Sequence, residues 1–420
     1  RDVERSRGLG DVYKRQRYVS IYGTILYLNI SVNVITLTSK YDCCGCTACT
    51  SACNRGAIIM QEDEQGFLYP HINTTQCIDC GLCNKVCPVF RYDVISNKKN
   101  VNPHILALHH HNEKTWISSS SGGVFASLTD YALRQAGVIF GAIYDDNFVV
   151  VHRRAETQED TLKFRGSKYV QSNLTGIYQQ VKFYLQEQRF VLFSGTPCQV
   201  EGLKGYLQRS YDNLLTVDIL CHGVPSPRVF HDYLNFIRQN SDFHFTGIFM
   251  KDKTFGWGYQ NSRLFFGKNA SQFNTVLSRL WNDIFYSHLT TRPSCHACRF
   301  TNYLRPGDIT IGDFWGIEKH HPQFTDSRGI SLIMLNNTKA EIVWNHIKDD
   351  FNYLESNIKE CIQPNLKYPV PEPVNKATFW QDYASMPFFQ IMNKYYRITH
   401  QDLLKNRFYM ILLTLKKRFT

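Results

Sequence analysis

Short apolar runs alternate with longer amphipathic stretches through the middle of the chain. The runs with the length and β-branched content of strands are ILALHHH, GVIFGAIYD, FVVVHRRA, FVLF and LLTVDILC. Between them lie stretches with apolar residues at helical spacing: SGGVFASLTDYALRQAG, GIYQQVKFYLQEQR and PSPRVFHDYLNFIRQN. The first has a serine cap and a glycine stop, and the last has proline near its start. This alternation predicts a largely α/β domain.

The region before the first cysteine has a different pattern. Residues 18–37 carry no charge and approach the length of a bilayer span, although Asn29, Ser31 and Asn33 interrupt the run. The preceding stretch, RDVERSRGLGDVYKRQ, resembles a translated cloning or sequencing linker. We therefore expect residues 1–37 to be non-native or mistranslated upstream sequence. A membrane-anchoring helix is the alternative.

Nine of the fourteen cysteines fall between Cys43 and Cys87, and eight of them form two runs with C-x2-C-x2-C-x3-C spacing. This spacing is typical of bacterial ferredoxins. Three thiolates spaced in this way wrap three corners of one cubane, and the fourth cysteine reaches the other cluster. The ligands predicted for one 4Fe-4S cluster are Cys43, Cys46, Cys49 and Cys87, and those for the other are Cys77, Cys80, Cys83 and Cys53.

The clustered spacing favours metal binding in a reducing cytoplasm over disulfides in a secreted protein. Zinc in two four-cysteine sites fits the count but not the three-residue repeat. Cys44 falls outside the repeat and is predicted to be a free thiol, whereas Gly45 and Gly81 let the backbone turn around the clusters. The runs AIIM and GFLYPHI predict short strands that cover them.

The formal net charge of +11 is unevenly distributed. From Lys394 to Thr420 there are seven basic residues and one acidic residue, so the body of the chain is close to neutral. This balance argues against a nucleic-acid partner. The basic segment is either a solvated terminal helix or an amphipathic contact to an anionic membrane surface.

Five cysteines are scattered through the larger domain, of which Cys361 has no partner pattern and is expected to be structural. Cys198 follows a predicted strand and opens a helix, and Cys221 ends another strand. Ligands bind at the carboxyl ends of strands in open α/β sheets, so both cysteines are expected at one crevice. Downstream, Cys295 and Cys298 form a CxxC pair that would bring the set to four, enough for a third 4Fe-4S cluster. Buried structural cysteines, zinc binding and dithiol chemistry remain alternatives.

Three turns rich in glycine and serine have the composition of phosphate-binding loops. They are SSSSGGVF at 118–125, RGSKYVQS at 165–172 and SGTPCQV at 194–200. The chain has neither a GxGxxG fingerprint nor a Walker loop. A flavin is a suitable ligand because it accepts single electrons from clusters. The stretch KDKTFGWGY is predicted to form a substrate loop with Lys251 and Trp257 exposed.

The order of several motifs carries a family resemblance. SSSSGGVF, RGSKYVQS, FSGTPCQV, VDILCHGVPSP, RPSCHACRF and DITIGDFWGIEK follow the twin cysteine runs, from about Tyr41 to Leu335. Together they resemble the coenzyme F-420 hydrogenase/dehydrogenase beta-subunit family. They are most similar to its bacterial branch, in which a ferredoxin module is fused ahead of the flavoprotein domain. That branch is often encoded in polysaccharide-biosynthesis loci.

The resemblance implies FAD and a third 4Fe-4S cluster in the larger domain. The cluster ligands it implies are Cys198, Cys221, Cys295 and Cys298. The FAD contacts it implies are Ser120, Gly122, Gly123, Arg165, Ser167, Lys168, Thr196 and Gln199. Lys168 would balance the pyrophosphate charge. His222 and Asp313 are candidates for proton delivery at the flavin, with a buried histidine and a turn aspartate as the alternative.

These inferences give an α+β or α/β chain with a ferredoxin-type domain at 38–92 and a mixed α/β flavoprotein domain at 103–365. The larger domain is divided near residues 185 and 186, and a helical basic tail covers 366–420. The predicted function is a cytoplasmic iron–sulfur flavoprotein oxidoreductase acting on a small substrate and a redox partner protein or reduced cofactor. Alternatives are an electron-transfer subunit of a larger complex and an interaction protein held at the inner membrane face by its tail.

Overall fold

The computed structural model of the chain describes residues 17–21, 24–28, 35, 37, 39–92, 102–254, 256–258, 262–267, 270–272 and 275–416. Most of the stretch 1–37 lies outside these residues, so its predicted origin stays a prediction. Within it the backbone forms two antiparallel strands, β1 (Arg17–Ile21) and β2 (Thr24–Leu28).

The cysteine-rich region folds as two short helices and a hairpin. Helix α1 (Ala48–Ala52) and helix α2 (Leu82–Val86) flank the antiparallel strands β3 (Ile58–Glu62) and β4 (Leu68–Ile72), which confirms both predicted strands. Each helix begins after a residue in the left-handed conformation, Thr47 or Gly81. This reversal lets the loop close before the helix buries the third cysteine of each run.

The larger domain is built on an eight-stranded mixed sheet with the order β15-β5-β14-β13-β9-β8-β6-β7. In chain order its strands are β5 (His104–His110), β6 (Val138–Tyr144), β7 (Val150–Ala155), β8 (Val191–Gly195), β9 (Leu214–Ile219), β13 (Ile309–Asp313), β14 (Ser331–Leu335) and β15 (Phe351–Ser356). The four central strands β13, β9, β8 and β6 are parallel, and the pairings β13–β14, β14–β5, β5–β15 and β6–β7 are antiparallel. The mixed α/β fold class is therefore confirmed.

Helices connect and cover these strands. They are α3 (Glu113–Ser118), α4 (Val124–Arg134), α5 (Gln158–Leu162), α6 (Ile177–Gln186), α7 (Pro197–Leu207), α8 (Pro227–Gln239), α9 (Val276–Tyr286), α10 (Thr338–Ile347) and α11 (Ile358–Cys361). The predicted serine cap of α4 is wrong. Gly123 is the N-cap, at φ +97°, because the Ser121 hydroxyl donates instead to the Ile330 carbonyl.

The C-terminal part is helical, as α12 (Lys376–Ser385), α13 (Phe388–Tyr396) and α14 (His400–Lys416). These helices contribute buried side chains such as Phe379, Ile391 and Met410 to the core formed by α8 and α9. A small antiparallel sheet of β10 (Phe245–Phe249), β11 (Arg263–Phe266) and β12 (Ala270–Gln272) joins the same core. This part of the chain is thus anchored by packing.

The parallel strands fix where chemistry can occur. β8, β9 and β13 are neighbours, and all three end at one edge of the sheet. Cys198, Cys221 and Asp313 lie at or just beyond those carboxyl ends. Over the described residues, no helix combines the length and apolar character that a bilayer span requires.

Candidate functional site

The cysteines predicted for the first ferredoxin cluster lie together. Cys46, Cys49 and Cys87 are buried, and Cys43 is half-buried. Burial raises the pKa of Cys49 to about 12, and the charges of Cys43 and Cys87 add to the effect. Thiols that oppose one another's ionisation in this way become stable thiolates only around a cation, so the donor set fits an iron cluster.

The second ferredoxin set is closer to solvent. Cys83 is buried and accepts a hydrogen bond from the Ile35 amide at 3.2 Å, while Cys80 is exposed. Cys53 and Cys77 are half-buried. The second set of cysteines therefore lies on the solvent-exposed side of the ferredoxin module.

A cavity in the larger domain is lined by Cys198, Cys221, Cys295 and Cys298. Cys198 is the second residue of α7, Cys221 follows β9, and Cys295 ends a short 3-10 helix at 293–295. Gly223, at φ +91°, lets the β9 loop approach Cys295, since a Cβ there would lie 3.0 Å from Thr291 and 3.5 Å from Cys295.

The four scattered thiols influence one another as a group. Burial, followed by the charges of neighbouring thiols, raises the pKa of Cys295 to about 12 and that of Cys298 to about 11. Burial and the other three thiols likewise raise the pKa of Cys221. This donor set fits a polynuclear iron–sulfur cluster by the same argument as above. No group of three His, Cys, Asp or Glu side chains in the described part of the chain is arranged to hold a single metal ion.

Cys44 has a position that the sequence did not suggest. It lines the cavity of the scattered cysteines, and the neighbouring thiols together with burial raise the pKa of Cys44. It is in no disulfide. The sequence signal was its adjacency to Cys43, but only the docking of the two modules places it between two ligand sets.

The two modules share one core. A Cβ on Gly202 of α7 would lie 2.9 Å from both Cβ and Sγ of Cys46, and one on Gly205 would lie 2.3 Å from the Val86 carbonyl oxygen. Cys46, Ala48, Ala52 and Val86 consequently belong to the same hydrophobic cluster as α6 and α7. Helix α7 thus carries Cys198 at its start and receives the ferredoxin module on its glycines.

Two of the turns rich in glycine and serine meet. The Ser167 amide and hydroxyl donate to Ser120 Oγ at 2.8 and 2.9 Å, and Arg165 donates to Ser118 Oγ at 3.0 Å. Gly122 donates its amide to Ser331 Oγ at 2.8 Å, and a Cβ there would lie 2.3 Å from the Leu108 carbonyl oxygen. Gly122 is therefore required for close packing against the sheet.

Two lysines brace these turns. Lys168 Nζ donates to the carbonyls of Lys163, Phe164 and Arg165, at 2.8 to 3.0 Å. Lys253 Nζ donates to the carbonyls of Trp116, Ser121 and Arg328, at 2.6 to 3.0 Å. Each ammonium group thus fixes the backbone of a turn.

The third turn forms the cap of α7. The Thr196 amide donates to Gln199 Oε1 at 2.9 Å, and Gln199 Nε2 donates to Ser172 Oγ at 2.9 Å. Thr196 Oγ1 lies 3.2 Å from Cys198 Sγ, within hydrogen-bonding distance. Thr196 and Gln199 therefore position Cys198.

His222 and Asp313 are held by one short segment. His222 Nδ1 lies 2.7 Å from Asn365 Oδ1, and Gln363 Nε2 donates to the Asp313 carbonyl at 2.9 Å. Tyr286, which is 41% exposed, is close to both. Its ring centroid is 5.8 Å from that of His222, and burial together with the Asp313 charge raises its pKa to about 12. No sequence motif singled out Tyr286.

The prediction that Lys251 and Trp257 are exposed is wrong. Lys251 is 1% and Trp257 6% exposed. Lys251 Nζ lies 2.6 Å from Asp313 Oδ2, and Trp257 Nε1 donates to Asp313 Oδ1 at 2.8 Å. Trp257 stacks on Trp315 with ring centroids 4.2 Å apart, and Lys251 lies beside both rings. Lys251 and Trp257 both donate to the Asp313 carboxylate, and these contacts hold the segment that carries them in the protein interior. Residues 255 and 259 of that stretch lie outside the described residues.

Comparisons with known proteins agree with this architecture. Residues 42–90 match the 4Fe-4S dicluster domain model, which confirms two 4Fe-4S clusters in the ferredoxin module. Residues 188–360 match the model for the C terminus of the coenzyme F420 hydrogenase/dehydrogenase beta subunit. No curated protein matches the chain.

A chain from a structure of the F420-reducing [NiFe] hydrogenase complex of Methanosarcina barkeri, solved with xenon derivatization, is similar at 16% identity. The alignment covers 64% of this chain and 85% of that chain, with a TM-score of 0.43. The two family matches indicate a redox, electron-transferring role. Residues 188–360 are thus similar to the C terminus of the coenzyme F420 hydrogenase/dehydrogenase beta subunit, and a dicluster ferredoxin module precedes that region.

Proposed function

We propose that the chain is a cytoplasmic iron–sulfur flavoprotein oxidoreductase that moves electrons between its ferredoxin module and FAD, and so reduces or oxidises a small substrate. The observation that carries the proposal is the contact of Cys46 with Gly202. Gly202 lies four residues after Cys198 on α7, which is roughly 6 Å of helix rise. Cysteines of both modules therefore converge on one helix.

A third 4Fe-4S cluster would be held by Cys198, Cys221, Cys295 and Cys298. Mutual opposition to ionisation among these buried thiols supports that assignment. Clusters of this kind pass electrons singly, and a flavin accepts them one at a time and exchanges an electron pair with a substrate.

FAD would be held at the sheet edge beside this cavity. Ser120, Gly122 and Gly123 would contribute one turn, and Arg165, Ser167 and Lys168 the other. The hydrogen bonds between Ser167 and Ser120 support this grouping, because they join the two turns into one surface. Thr196 and Gln199 would act at the Cys198 end.

The substrate would bind near Tyr286. His222 and Asp313 lie close to this exposed phenol and would deliver protons there. Lys251 and Trp257 hold the Asp313 carboxylate, so its position is fixed before a ligand arrives. The family resemblance suggests a substrate from polysaccharide biosynthesis.

The outer end of the ferredoxin module would meet a redox partner protein or a reduced cofactor. Cys80 is exposed there, and the neighbouring Ile78 is 59% exposed. This exposed apolar residue also favours a second candidate function, an electron-transfer subunit whose flavin serves a partner's active site.

The proposal is tested by rapid mixing of the anaerobic full-length chain with a limiting reduced ferredoxin. We expect the cluster absorbance to bleach before the flavin is reduced. In Cys198→Ser the flavin should be reduced at least tenfold more slowly. Cys361→Ser is the matched control, because Cys361 is a buried thiol in a separate hydrophobic cluster.

Flavin reduction at the wild-type rate in Cys198→Ser would overturn the proposed route, and a chain that binds no flavin would overturn the enzymatic proposal. Normal flavin reduction that continues to a small acceptor only when a partner protein is added would favour the electron-transfer subunit.

A further inference from the structure

Arg292 is a fully buried arginine between the two modules. It is 0% exposed and directly precedes the 3-10 helix that carries Cys295. Its backbone amide donates to the Val224 carbonyl at 2.9 Å, which ties it to the loop after Cys221. The backbone of Arg292 therefore belongs to the larger domain, close to two of the scattered cysteines.

The guanidinium of Arg292 reaches across to the ferredoxin module. Nε donates to the Cys43 carbonyl at 2.7 Å, and Nη2 donates to the Leu68 carbonyl at 3.0 Å and lies 3.6 Å from Cys43 Sγ. Nη1 donates to Gln171 Oε1 at 2.9 Å, and the cation lies 4.3 Å from the centroid of the Tyr69 ring.

The local backbone is shaped around this group. Gly45 has φ +69°, and a Cβ there would lie 2.8 Å from Arg292 Nη1 and 2.6 Å from Gln171 Nε2. A glycine at this position therefore gives the guanidinium access to the first cysteine loop. From the sequence, Gly45 was expected only to turn the backbone around the cluster.

Arg292 has no carboxylate partner in the part of the chain that the structure describes. Its neighbours are carbonyl oxygens, an amide oxygen, a thiol and aromatic rings. Burying a charge is costly unless an opposite charge compensates for it. The anionic groups that act on this guanidinium include the cysteine thiolates, with Cys43 in contact and Cys295 three residues along the chain.

We call the cluster predicted at Cys43, Cys46, Cys49 and Cys87 the inner cluster, and the one predicted at Cys77, Cys80, Cys83 and Cys53 the outer cluster. We propose that Arg292 is the counter-charge of the inner cluster and raises its reduction potential above that of the outer cluster. A reduced cluster carries one more negative charge than an oxidised one, so a fixed buried cation stabilises the reduced form. Net charge and hydrogen bonds to sulfur are established determinants of cluster potential. Arg292 thus favours electron transfer from the outer cluster, on the Cys80 side, to the inner cluster.

This inference rests on the two ferredoxin clusters and not on the third cluster or on FAD. Its test is a redox titration of the anaerobic full-length chain, followed by electron paramagnetic resonance of each cluster. In Arg292→Gln we expect the midpoint potential of the inner cluster, the higher of the two in the wild type, to fall by at least about 59 mV, a tenfold change for a one-electron couple. The other cluster and the iron content should be unchanged.

Arg228→Gln is the matched control. Arg228 also crosses the module interface, but its guanidinium is paired with Glu62, so its loss should leave both potentials unchanged. Equal potentials in Arg292→Gln and wild type, or an equal fall in Arg228→Gln, would overturn the proposal.

Arg292→Lys keeps the charge and loses the forked hydrogen bonds. If Arg292→Gln loses iron, the midpoint potentials of Arg292→Lys test the proposal in its place. The proposal requires both midpoints to stay within about 59 mV of wild type in this variant. A larger fall would mean that hydrogen bonding, and not charge, sets the potential.

Discussion

Cys46 and Gly202 are in direct contact across the module interface. A Cβ added to Gly202 would lie 2.9 Å from Cys46 Sγ, a separation that packed side chains do not adopt. The contact brings Cys46, a predicted ligand of the first ferredoxin cluster, against helix α7, which carries Cys198 in its first turn. A glycine on α7 therefore sets the spacing between the two cysteine sets.

Replacing Gly202 with valine is expected to push the ferredoxin module away from α7. Overpacking of this kind costs about 1–3 kcal/mol. Thermal unfolding under anaerobic conditions should show the loss, and the proposed electron transfer from the ferredoxin module to FAD should slow. Gly258→Ala is the control, because a Cβ at Gly258 meets nothing within 4 Å. If Gly202→Val had the wild-type unfolding temperature and the wild-type rate of electron transfer, the interface would accommodate the larger side chain, and Gly202 would not set its spacing.

The buried pair of Asp218 and Arg305 should dominate the stability of the cavity wall. Arg305 Nη2 lies 2.8 Å from Asp218 Oδ1, and the two side chains are 1% and 0% exposed. Asp218→Asn leaves a buried cation without its carboxylate, so we expect a loss of about 3–5 kcal/mol in the free energy of unfolding. Glu113→Gln breaks the exposed pair with Arg328 and should cost less than about 1 kcal/mol. Similar losses in the two variants would refute this assignment.

Asp313 and Lys251 should be coupled in stability but separable in activity. Either Asp313→Asn or Lys251→Met leaves the other partner's charge without its counter-ion, and each is expected to destabilise the fold. The double variant should recover most of that stability, while the proposed flavin-dependent activity stays low. A double-mutant cycle by thermal unfolding and steady-state reduction measures both quantities. Full activity in the double variant would show that Asp313 does not deliver protons to the substrate.

Helix α14 presents exposed apolar side chains in a basic segment. Leu404 is 64% and Phe408 63% exposed, and the two lie one helical turn apart. We expect the chain to sediment with vesicles of anionic phospholipid at low salt, and less at high salt, because the attraction is electrostatic as well as apolar. Leu404→Glu with Phe408→Glu should abolish sedimentation.

The control for the vesicle experiment keeps the core intact. Deleting α14 would also remove Leu403 and Met410, which are buried, so surface substitutions are the cleaner test. Phe183→Glu changes an exposed aromatic residue on α6 and should leave binding unchanged. Sedimentation of the double variant with the vesicles to the wild-type extent would exclude α14 as the contact.

The sequence predicted well those features that depend on local spacing. The ferredoxin repeats, the strands around FVLF and LLTVDILC, and the proline start of α8 follow from short-range chemistry, and all were found. Periodicity does not encode strand order. It therefore left open the antiparallel insertion of β14 between β13 and β5.

The features that sequence reasoning missed depend on contacts between distant residues. Lys251 was predicted to be exposed because it lies in a polar, glycine-containing stretch, yet its partner Asp313 lies 62 residues away. Arg292 belongs to a recognised cysteine motif, but its contacts with Cys43 are 249 residues distant in sequence. A charged residue just before a CxxC pair was the available signal.

The central claim is that the scattered cysteines of the larger domain hold a cluster in addition to the two in the ferredoxin module. The most direct measurement is iron, acid-labile sulfide and flavin per chain after strictly anaerobic purification. We predict about twelve iron atoms, from four per cubane, together with one FAD. About eight iron atoms per chain, with both ferredoxin clusters intact, would contradict the claim.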